Sequence, residues 1–283
     1  MQKEYSHTYR ILSAHYPTSE AQALARWVME VRFGMNRLDL CLGKDRPLTE
    51  EERIELESII SRLLKDEPIQ YILKHADFCG NTLHVGPGVL IPRPETEELV
   101  HWILSDIPDR PLRIADIGTG SGCIAISLAT ARPDCRISAI DISRQALDIA
   151  EQNAHLAHAE NIEFIRCDIL DSQTWPRIPT ATWDIIVSNP PYVLQSETRD
   201  MTANVLNYEP ATALFVPDED PLIFYRTIAR YAQTYLKPNG RLCFEINRRF
   251  GKEVTELLAA SGFSQIELRK DFRENDRMIR CLR

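Results

Sequence analysis

The stretch "ADIGTGSGCIAIS", residues 115–127, decides the fold of this 283-residue chain. A strand-forming run leads into it and a helix-forming run leaves it, so Gly118, Gly120 and Gly122 fall in the turn between a strand and a helix. Glycine lets a backbone turn sharply and lets a ligand come close to it. The segment therefore predicts the first strand and helix of an α/β sheet, joined by a ligand-binding turn.

The chain after residue 93 continues to alternate between strand-forming and helix-forming patterns. Its strand candidates lie at residues 112–117, 136–140, 162–167, 183–188 and 241–246. Alternation of this kind is typical of a mostly parallel sheet with helices on both faces. Two further candidates, "FSQIELRKD" and "DRMIRCLR", have only Phe272–Asn275 between them. That connection is too short for a crossover helix, so these two strands are predicted to pair antiparallel.

The first quarter of the chain has helical patterns instead. In "LTEEERIELESIISRLLKDEP", Thr49 and Glu52 form a capping box ahead of apolar residues at helical spacing. In "TSEAQALARWVMEVRFGM", Ser19 and Gln22 have the same capping-box spacing. The apolar faces of these helices need a partner, which predicts a small helical bundle over residues 1–75.

The segment "ADFCGNTLHVGPGVLIP", residues 76–92, has glycine, asparagine and proline between short β-prone runs. This composition predicts a β-hairpin linker. We therefore expect three parts: a helical domain at 1–75, the hairpin linker at 76–92, and an α/β domain at 93–283. The predicted fold is a Rossmann-like, mostly parallel sheet preceded by a helical bundle.

Composition excludes several classes of protein. The net charge is −8, which argues against a general binder of nucleic-acid phosphates. The seven cysteines are scattered and form no C-x-x-C pair, so we expect free thiols and no metal site. The N-terminus lacks the apolar region of a signal peptide, and no run reaches the roughly 18 apolar residues of a membrane span. We expect a cytoplasmic protein.

The glycine turn favours a nucleoside over a dinucleotide. Its spacing is G-x-G-x-G, and Cys123 stands where the dinucleotide fingerprint has its third glycine. Asp116 lies two residues before the first glycine, where a carboxylate is unfavourable beside phosphates and suits a cationic amino group. The turn thus predicts a cofactor that carries an amino group and a nucleoside.

Carboxylates also end the next two predicted strands. Asp141 follows one of them, where its two oxygens can accept from a pair of ribose hydroxyls, and Asp168 follows the next, placed to meet an adenine edge. Each aspartate alone is equally typical of a helix cap or a turn. Their succession at the carboxyl edge, where open α/β sheets bind ligands, favours a binding site.

The stretch "WDIIVSNPPYVL", residues 183–194, places a second group on the same edge. Pro190 and Pro191 have no N–H, so their loop offers only acceptors. The Asn189 Oδ1 and the Pro190 carbonyl can together hold both hydrogens of an –NH2 group, and Tyr192 can pack on the planar group that carries it. The alternative is a plain turn.

The "DIGTGSG" and "SNPPY" motifs together resemble class I S-adenosylmethionine-dependent methyltransferases that modify planar nitrogen. More specifically, residues 67–100, "NYEPATALF" and "FYRTIARYAQTYLKPNGRLCFEI" resemble segments of the release-factor glutamine methyltransferases. After "FEI" that family usually has a glycine and then a glutamine, where this chain has Asn247 and Phe250. The resemblance extends over most of the chain.

The resemblance implies N5-methylation of the glutamine in the Gly-Gly-Gln motif of class I peptide-chain release factors, a step that concerns translation termination. It implies S-adenosylmethionine as cofactor, with S-adenosylhomocysteine as product. We expect the helical domain at 1–75 to recognise the protein substrate, because a Gly-Gly-Gln tripeptide is too small to identify its carrier. We expect no membrane partner. The implied cofactor-binding residues are Asp116, Gly118, Thr119, Gly120, Ser121, Gly122, Asp141, Asp168, Ile169 and Asn189. The implied substrate-binding residues are Asn189, Pro190, Pro191 and Tyr192, of which Asn189, Pro190 and Tyr192 are assigned to catalysis.

Three further expectations concern the surroundings of the site. Arg93, Glu95 and Glu97 are candidates to close over the cofactor, although Pro94 and the acids also suit the first turn of a helix. Glu209 is a candidate to order a lid beyond the 189–192 loop. The sequence singles out no general base, so we expect the proton to leave to water after transfer.

Two other functions remain open at this stage. An enzyme of the same fold could act on exocyclic amino groups of DNA or RNA, but it would need a basic groove that the net charge disfavours. A non-catalytic module could also retain the fold, because a fold alone does not establish activity. Failure to bind S-adenosylmethionine would favour the second alternative.

Overall fold

The computed structural model describes residues 3–36, 38, 40, 46–178 and 182–283. The chain forms two compact units. One comprises Met1–His75 and Thr202–Tyr208, and the other comprises Ala76–Met201 and Glu209–Arg283. Residues 202–208 therefore belong to the helical unit, although they lie in sequence within the α/β unit. Substrate recognition by the helical unit stays a prediction.

The helical unit packs its apolar faces into one core, as its sequence pattern predicts. Its helices are Lys3–Leu12, Thr18–Trp27, Glu50–Leu63, Ile69–Leu73 and Ala203–Tyr208, with a π-helical turn at Val28–Arg32. The buried residues of the third helix are Leu56, Ile59, Ile60 and Leu63.

The two predicted capping boxes in this unit have different outcomes. The box of Thr49 and Glu52 is confirmed, because the Thr49 hydroxyl accepts from Glu52 N and the Glu52 carboxylate accepts from Thr49 N. The prediction of a capping box at Ser19 and Gln22 is wrong. The helix begins at Thr18 with Pro17 as its N-cap and has no side-chain cap. The fixed φ of proline favours this earlier start, which leaves Ser19 inside the first turn.

The α/β unit begins with the predicted hairpin and continues as one large sheet. The hairpin strands β1, Ala76–Phe78, and β2, Asn81–Leu83, pair antiparallel. The strands of the large sheet are β3 (Arg113–Ile117), β4 (Arg136–Asp141), β5 (Ile162–Arg166), β6 (Trp183–Ser188), β9 (Leu236–Glu245), β10 (Ser264–Lys270) and β11 (Asp276–Leu282). Two short strands, β7 (Val193–Leu194) and β8 (Phe215–Val216), pair with each other.

The strand order of the large sheet is β10-β11-β9-β6-β3-β4-β5. Neighbours from β9 to β5 are parallel, whereas β11 pairs antiparallel with both β9 and β10. The antiparallel pairing of the last two strands and the mostly parallel α/β sheet are both confirmed. The chain order reverses between β3 and β6, which makes that boundary the topological switch point of the sheet.

Helices cover both faces of this sheet. They span Pro94–Leu104, Cys123–Ala131, Arg144–Leu156, Ala211–Leu214, Ile223–Tyr235 and Gly251–Ala260, with 3-10 turns at Trp175–Arg177 and Gln195–Asp200. Every residue of β6 is buried; Ile186 belongs to one apolar cluster, and Ile185 and Val187 belong to the other. This alternation is the pattern of a central strand with a core on each face.

The cysteines of the described part are free thiols, as predicted, and Cys41 lies outside the described residues. Burial raises the pKa of the Cys243 thiol to about 12. Within the described residues, no helix is both long and apolar enough to cross a membrane.

Candidate active site

The candidate site lies along the carboxyl ends of five adjacent parallel strands. The pairing register matches Ile117 of β3 with Ser188 of β6 and with Ile140 of β4. Ser188 pairs on its other side with Phe244 of β9. At one edge of the sheet, Gly118 and Asn189, which follow their strands, are therefore neighbours of Glu245 and Asp141, the last residues of β9 and β4.

The glycine turn adopts a conformation that glycine favours. Gly118, Gly120 and Gly122 have φ values of 76°, 55° and 81°. A Cβ atom on Gly122 would lie 3.0 Å from the Cβ of Ala150, whereas a Cβ on Gly120 would meet no atom within 4 Å. The last glycine thus permits close packing between helices, and the middle glycine faces open space.

Asp116 lies directly beneath this turn and is completely buried. Its Oδ2 accepts from the Thr119 hydroxyl at 2.6 Å and from Ala125 N at 3.2 Å, so the carboxylate supports the turn. Its Oδ1 is buried and has no hydrogen-bond partner within the described part of the chain. Burial raises the pKa of the Asp116 carboxyl to about 7, and hydrogen bonds from Thr119 and Ala125 oppose that rise.

Asp141 joins the turn to the end of β4. Its Oδ2 accepts from Gly120 N and its Oδ1 accepts from Ser143 N, both at 2.9 Å. Burial raises the pKa of the Asp141 carboxyl, and these backbone donors oppose the rise. Each carboxylate oxygen has a second lone pair, so Asp141 keeps the capacity to accept from hydroxyl groups. Its contact with a ribose stays a prediction.

Asp168 and Ile169 follow β5 at the far end of the same edge. The Asp168 Oδ1 accepts from Leu170 N at 2.9 Å, and its backbone carbonyl accepts from the Thr174 hydroxyl at 2.7 Å. The Ile169 carbonyl accepts from the Trp175 indole N–H at 2.9 Å, and its side chain is buried. The segment is held in place by these contacts, whereas its contact with adenine stays a prediction.

The 189–192 loop follows β6, beside the glycine turn. A Cβ on Gly118 would lie 4.0 Å from the Asn189 carbonyl oxygen, so the two segments are close. The Asn189 Nδ2 donates to the Thr96 hydroxyl at 3.2 Å, and the Tyr192 hydroxyl donates to the Glu245 Oε1 at 2.9 Å. Both ends of the loop are thereby fixed by side chains from other elements.

Sequence reasoning missed three residues that hold this loop. Thr96 and Glu245 are buried, and the Thr96 hydroxyl donates to the Glu245 Oε2 at 2.6 Å. The Asn247 Nδ2 donates to the Tyr192 carbonyl and to the Glu197 Oε2, both at 3.0 Å. A signal for Glu245 was present, because an acidic residue ends an apolar strand there as Asp141 does. For Thr96, the sequence has no comparable signal, and Asn247 stands out in the sequence only as a departure from the family's usual glycine.

The helix after the linker begins at Pro94, as its sequence predicts, with Glu95 and Glu97 in the first turn. The Glu97 Oε1 accepts from Cys79 N at 2.8 Å and thus links this helix to the hairpin. Glu95 lies 3.7 Å from the Arg273 guanidinium. Closure of these residues over a cofactor stays a prediction. Among the described residues, no group of three or more potential ligands could hold a metal ion.

Three features together define a class I methyltransferase. They are a seven-stranded sheet with this order, a glycine turn after its first strand, and a polar loop at its switch point. The family described as "Methyltransferase small domain" matches residues 96–215, and "PrmC N-terminal domain" matches residues 5–73. This chain belongs to the release factor glutamine methyltransferase family. The methyltransferase function predicted from its sequence is confirmed in preference to the nucleic-acid and non-catalytic alternatives.

Two relatives illustrate the membership. A release factor glutamine methyltransferase of Bacteroides thetaiotaomicron is 47% identical over 264 residues, which are 93% of each chain. That of Flavobacterium psychrophilum is 43% identical over 273 residues, 95% of this chain and 94% of the relative.

Solved structures add the fold alone. A methyltransferase from Pyrococcus furiosus has a TM-score of 0.53 at 17% identity, covering 78% of this chain and 96% of that structure. The delta-N METTL16 MTase domain has a TM-score of 0.54 at 17% identity, covering 77% and 95%.

Proposed function

We propose that this protein transfers a methyl group from S-adenosylmethionine to the side-chain amide nitrogen N5 of glutamine. The target is the Gly-Gly-Gln motif of class I peptide-chain release factors, which are its protein partners in the cytoplasm. Membership of the family supports the reaction, since the relatives are release factor glutamine methyltransferases.

The observation that carries this proposal is the order of polar groups along the sheet edge. The sequence of strands β5-β4-β3-β6 presents Asp168, Asp141, the glycine turn and Asn189 in that order. Groups suited to adenine, ribose and an amino acid thus lie on one side of the switch point. The Asn189–Tyr192 loop, whose two prolines offer carbonyl oxygens without N–H groups, begins on the other side. We expect the donor and the acceptor of the methyl group to meet there.

The residues present fit S-adenosylmethionine. The buried Asp116 Oδ1 lacks a donor in the part of the chain that the structure describes, and a cationic amino group would supply one. Gly120 leaves space above the turn, and Asp141 retains lone pairs for hydroxyl groups. When bound, the cofactor supplies an electrophilic methyl group and leaves as S-adenosylhomocysteine. We assign Gly118, Thr119, Ser121 and Gly122 to its amino-acid part, and Asp168 with Ile169 to its adenine.

The chain's own contribution to the reaction is positioning. An amide nitrogen is a weak nucleophile because its lone pair is delocalised, so a large share of the rate has to come from orientation. The Asn189 Oδ1 and the Pro190 carbonyl hold the two hydrogens of the substrate amide, Pro191 keeps the loop rigid, and Tyr192 lies against the amide plane. These oxygens also stabilise the positive charge that develops on nitrogen in the transition state.

A transfer assay with methyl-labelled S-adenosylmethionine tests the proposal. The purified protein is offered a class I release factor, and in parallel the same factor with the glutamine of its Gly-Gly-Gln motif changed to alanine. Label on the first and none on the second supports both the reaction and the target residue. Label on neither, with cofactor binding established by calorimetry, contradicts the proposal and directs the search to nucleic acids or other proteins.

The assignment of Asn189 is tested separately. Asn189→Ala is expected to abolish transfer and to keep the calorimetric affinity for S-adenosylmethionine within a few-fold of the original. Ser196→Ala, a nearby exposed substitution outside the site, is the control that should keep full activity. Retained transfer by Asn189→Ala would show that another group holds the amide.

A further inference from the structure

One buried carboxylate connects both ends of the 189–192 loop. Glu245 is the last residue of β9 and is 1% exposed. Because Ser188 pairs with Phe244 in the parallel register, Glu245 lies level with Asn189, the first residue of the loop. The carboxylate therefore lies beneath the segment to which we assign the substrate amide.

Each oxygen of this carboxylate accepts from a different hydroxyl group. The Oε2 accepts from Thr96 at 2.6 Å, and the Oε1 accepts from Tyr192 at 2.9 Å. Thr96 in turn contacts Asn189, so the first and last residues of the loop connect to the same side chain.

The direction of these hydrogen bonds determines how the Asn189 amide is turned. A threonine hydroxyl has a single proton, and an ionised carboxylate can only accept. The Thr96 proton therefore goes to Glu245, and the Thr96 oxygen can only accept from Asn189. The Asn189 NH2 group supplies that donor at 3.2 Å, which leaves its Oδ1 on the opposite side. The Oδ1 is the acceptor that a substrate –NH2 group requires.

The surroundings of Glu245 bear on its charge. Burial raises the pKa of the Glu245 carboxyl, and Glu95 adds a smaller rise. The hydroxyls of Thr96 and Tyr192 and the nearby Arg277 guanidinium lower that pKa. The Arg277 guanidinium lies 3.4 Å from the Tyr192 oxygen and 3.1 Å from the Ile246 carbonyl. Burial is the largest effect and leaves the pKa of Glu245 above its ordinary value. The cation and the two hydroxyl donors act against it, in favour of the ionised form, which is the form that orients Thr96.

We propose that Glu245 is a positioning residue that fixes the amide orientation of Asn189 through Thr96 while it holds the Tyr192 hydroxyl. Its effect on catalysis rests on the proposed function, but its effect on Asn189 does not. A neutral side chain at position 245 removes the constraint. A glutamine NH2 group can donate to Thr96, and Thr96 can then donate to the Asn189 Oδ1. The amide turns over, and its NH2 group faces the substrate –NH2 group.

Two isosteric substitutions test the proposal with little change of volume. Glu245→Gln and Thr96→Val are each expected to lower kcat by about 10- to 100-fold, the usual effect of losing an orienting partner. The KM for the release factor and the calorimetric affinity for S-adenosylmethionine are expected to stay within about twofold. Thr96→Ser keeps the hydroxyl and is expected to retain most of kcat.

Asp184→Asn is the matched control. Asp184 is also a buried carboxylate of the sheet, but it lies near the amino end of β6 and accepts from Arg110, Arg113 and Lys237. Its loss should lower stability without lowering kcat at a temperature where the protein is folded. Full kcat in Glu245→Gln, or equal losses in Thr96→Ser and Thr96→Val, would overturn the proposal.

A spectroscopic measurement separates this proposal from the proposed function. The side-chain NH2 resonances of Asn189 in a nitrogen-15 spectrum are assigned by their loss in Asn189→Asp. They are expected to shift in Glu245→Gln and Thr96→Val and to stay in place in Thr96→Ser. This result can be obtained even if no release factor is methylated, and an unchanged Asn189 resonance in Glu245→Gln would also overturn the proposal.

Discussion

The Glu209 carboxylate forms an ion pair with Arg93, with 2.5 Å between Oε1 and Nη2. Its other oxygen accepts from Ile91 N at 3.0 Å, and the Glu209 side chain is 1% exposed, against 33% for Arg93. Glu209 is the first residue of the α/β unit after the 202–208 segment, so this pair ties the returning chain to the end of the hairpin linker. The contact supports the interpretation of Glu209 as an ordering residue, which stays a prediction.

The unequal exposure of the two partners predicts unequal effects of their removal. Arg93→Met leaves the Glu209 carboxylate buried without its cation and is expected to lower the free energy of unfolding by about 3 kcal/mol. Glu209→Gln keeps an acceptor for Ile91 N and leaves Arg93 able to reach water, so its expected cost is about 1 kcal/mol. Urea unfolding followed by circular dichroism measures both.

The double variant Arg93→Met with Glu209→Gln provides the control for this prediction. It no longer buries an unpaired charge, so it should be more stable than Arg93→Met alone. A larger loss in Glu209→Gln than in Arg93→Met would mean that the guanidinium, not the carboxylate, is the costly group to leave unpaired.

The glycine turn predicts a contrast between two alanine substitutions. Both positions have positive φ, so each alanine costs about 1–2 kcal/mol in backbone strain. At Gly122 the new Cβ also lies 3.0 Å from the side chains of Ala150 and Ile126, which adds about 1–3 kcal/mol of overpacking. At Gly120 it enters open space, where we place the cofactor. Gly122→Ala should therefore reduce stability more than Gly120→Ala does, whereas Gly120→Ala should cause the larger loss of affinity for S-adenosylmethionine.

Thermal unfolding and calorimetric titration of the two variants at one temperature distinguish these effects. Gly86→Ala is a suitable reference, since its Cβ meets no atom within 4 Å and its φ is not in the left-handed region. Equal loss of affinity in Gly120→Ala and Gly122→Ala, at equal stability, would argue against a cofactor lying above the middle glycine.

Asn247 stands where the family usually has a glycine, and its contacts predict what the exchange does. Asn247→Gly removes the bonds to the Tyr192 carbonyl and to Glu197, and is expected to cost about 1–2 kcal/mol of stability. Because Glu245 still holds the loop, kcat should fall by less than about fivefold. Asn247→Asp is the more severe variant, since its carboxylate would face the carboxylate of Glu197. Steady-state kinetics and unfolding curves measure both variants. Unchanged kcat and unchanged stability in both would show that Asn247 has no contact with the loop.

The sequence predicted the fold well because its signals are local and repeated. Alternating strand and helix patterns, the glycine turn and the short link before the last strand each depend on neighbouring residues, and the sheet confirms all of them. The Asn189–Tyr192 loop was also predicted at the correct edge, because strand direction alone determines that position.

The residues that hold the 189–192 loop in place could not be predicted, because they act through contacts between distant parts of the chain. Thr96 meets Glu245 across 149 positions, and Tyr192 meets Asn247 across 55. A single threonine in a first helical turn has nothing in its neighbourhood to indicate such a partner. The pKa of Asp116 was equally hidden, because it follows from complete burial and not from the residue type.

Asp116 predicts that cofactor affinity depends on pH. Its carboxyl has a pKa of about 7 in the free protein, so it is largely protonated below that pH. A bound cationic amino group favours the ionised form. Affinity for S-adenosylmethionine should therefore rise with pH up to about 7, weakening about tenfold per pH unit below it, and binding in that range should release a proton.

Calorimetry between about pH 5.5 and pH 7.5, in buffers of different ionisation enthalpy, measures both the affinity and the proton release. The Asp116→Asn variant should bind S-adenosylmethionine more weakly than the original protein at the upper end of this pH range, and its affinity should no longer depend on pH. The same carboxyl should affect stability with the opposite sign. Because its pKa in the folded chain exceeds the ordinary value of 3.8, its contribution is present below that pH and is lost as pH rises through about 7. The affinity could instead stay constant over this pH range while the stability still falls as pH rises through about 7. That result would mean that Asp116 supports the glycine turn without contacting the amino group.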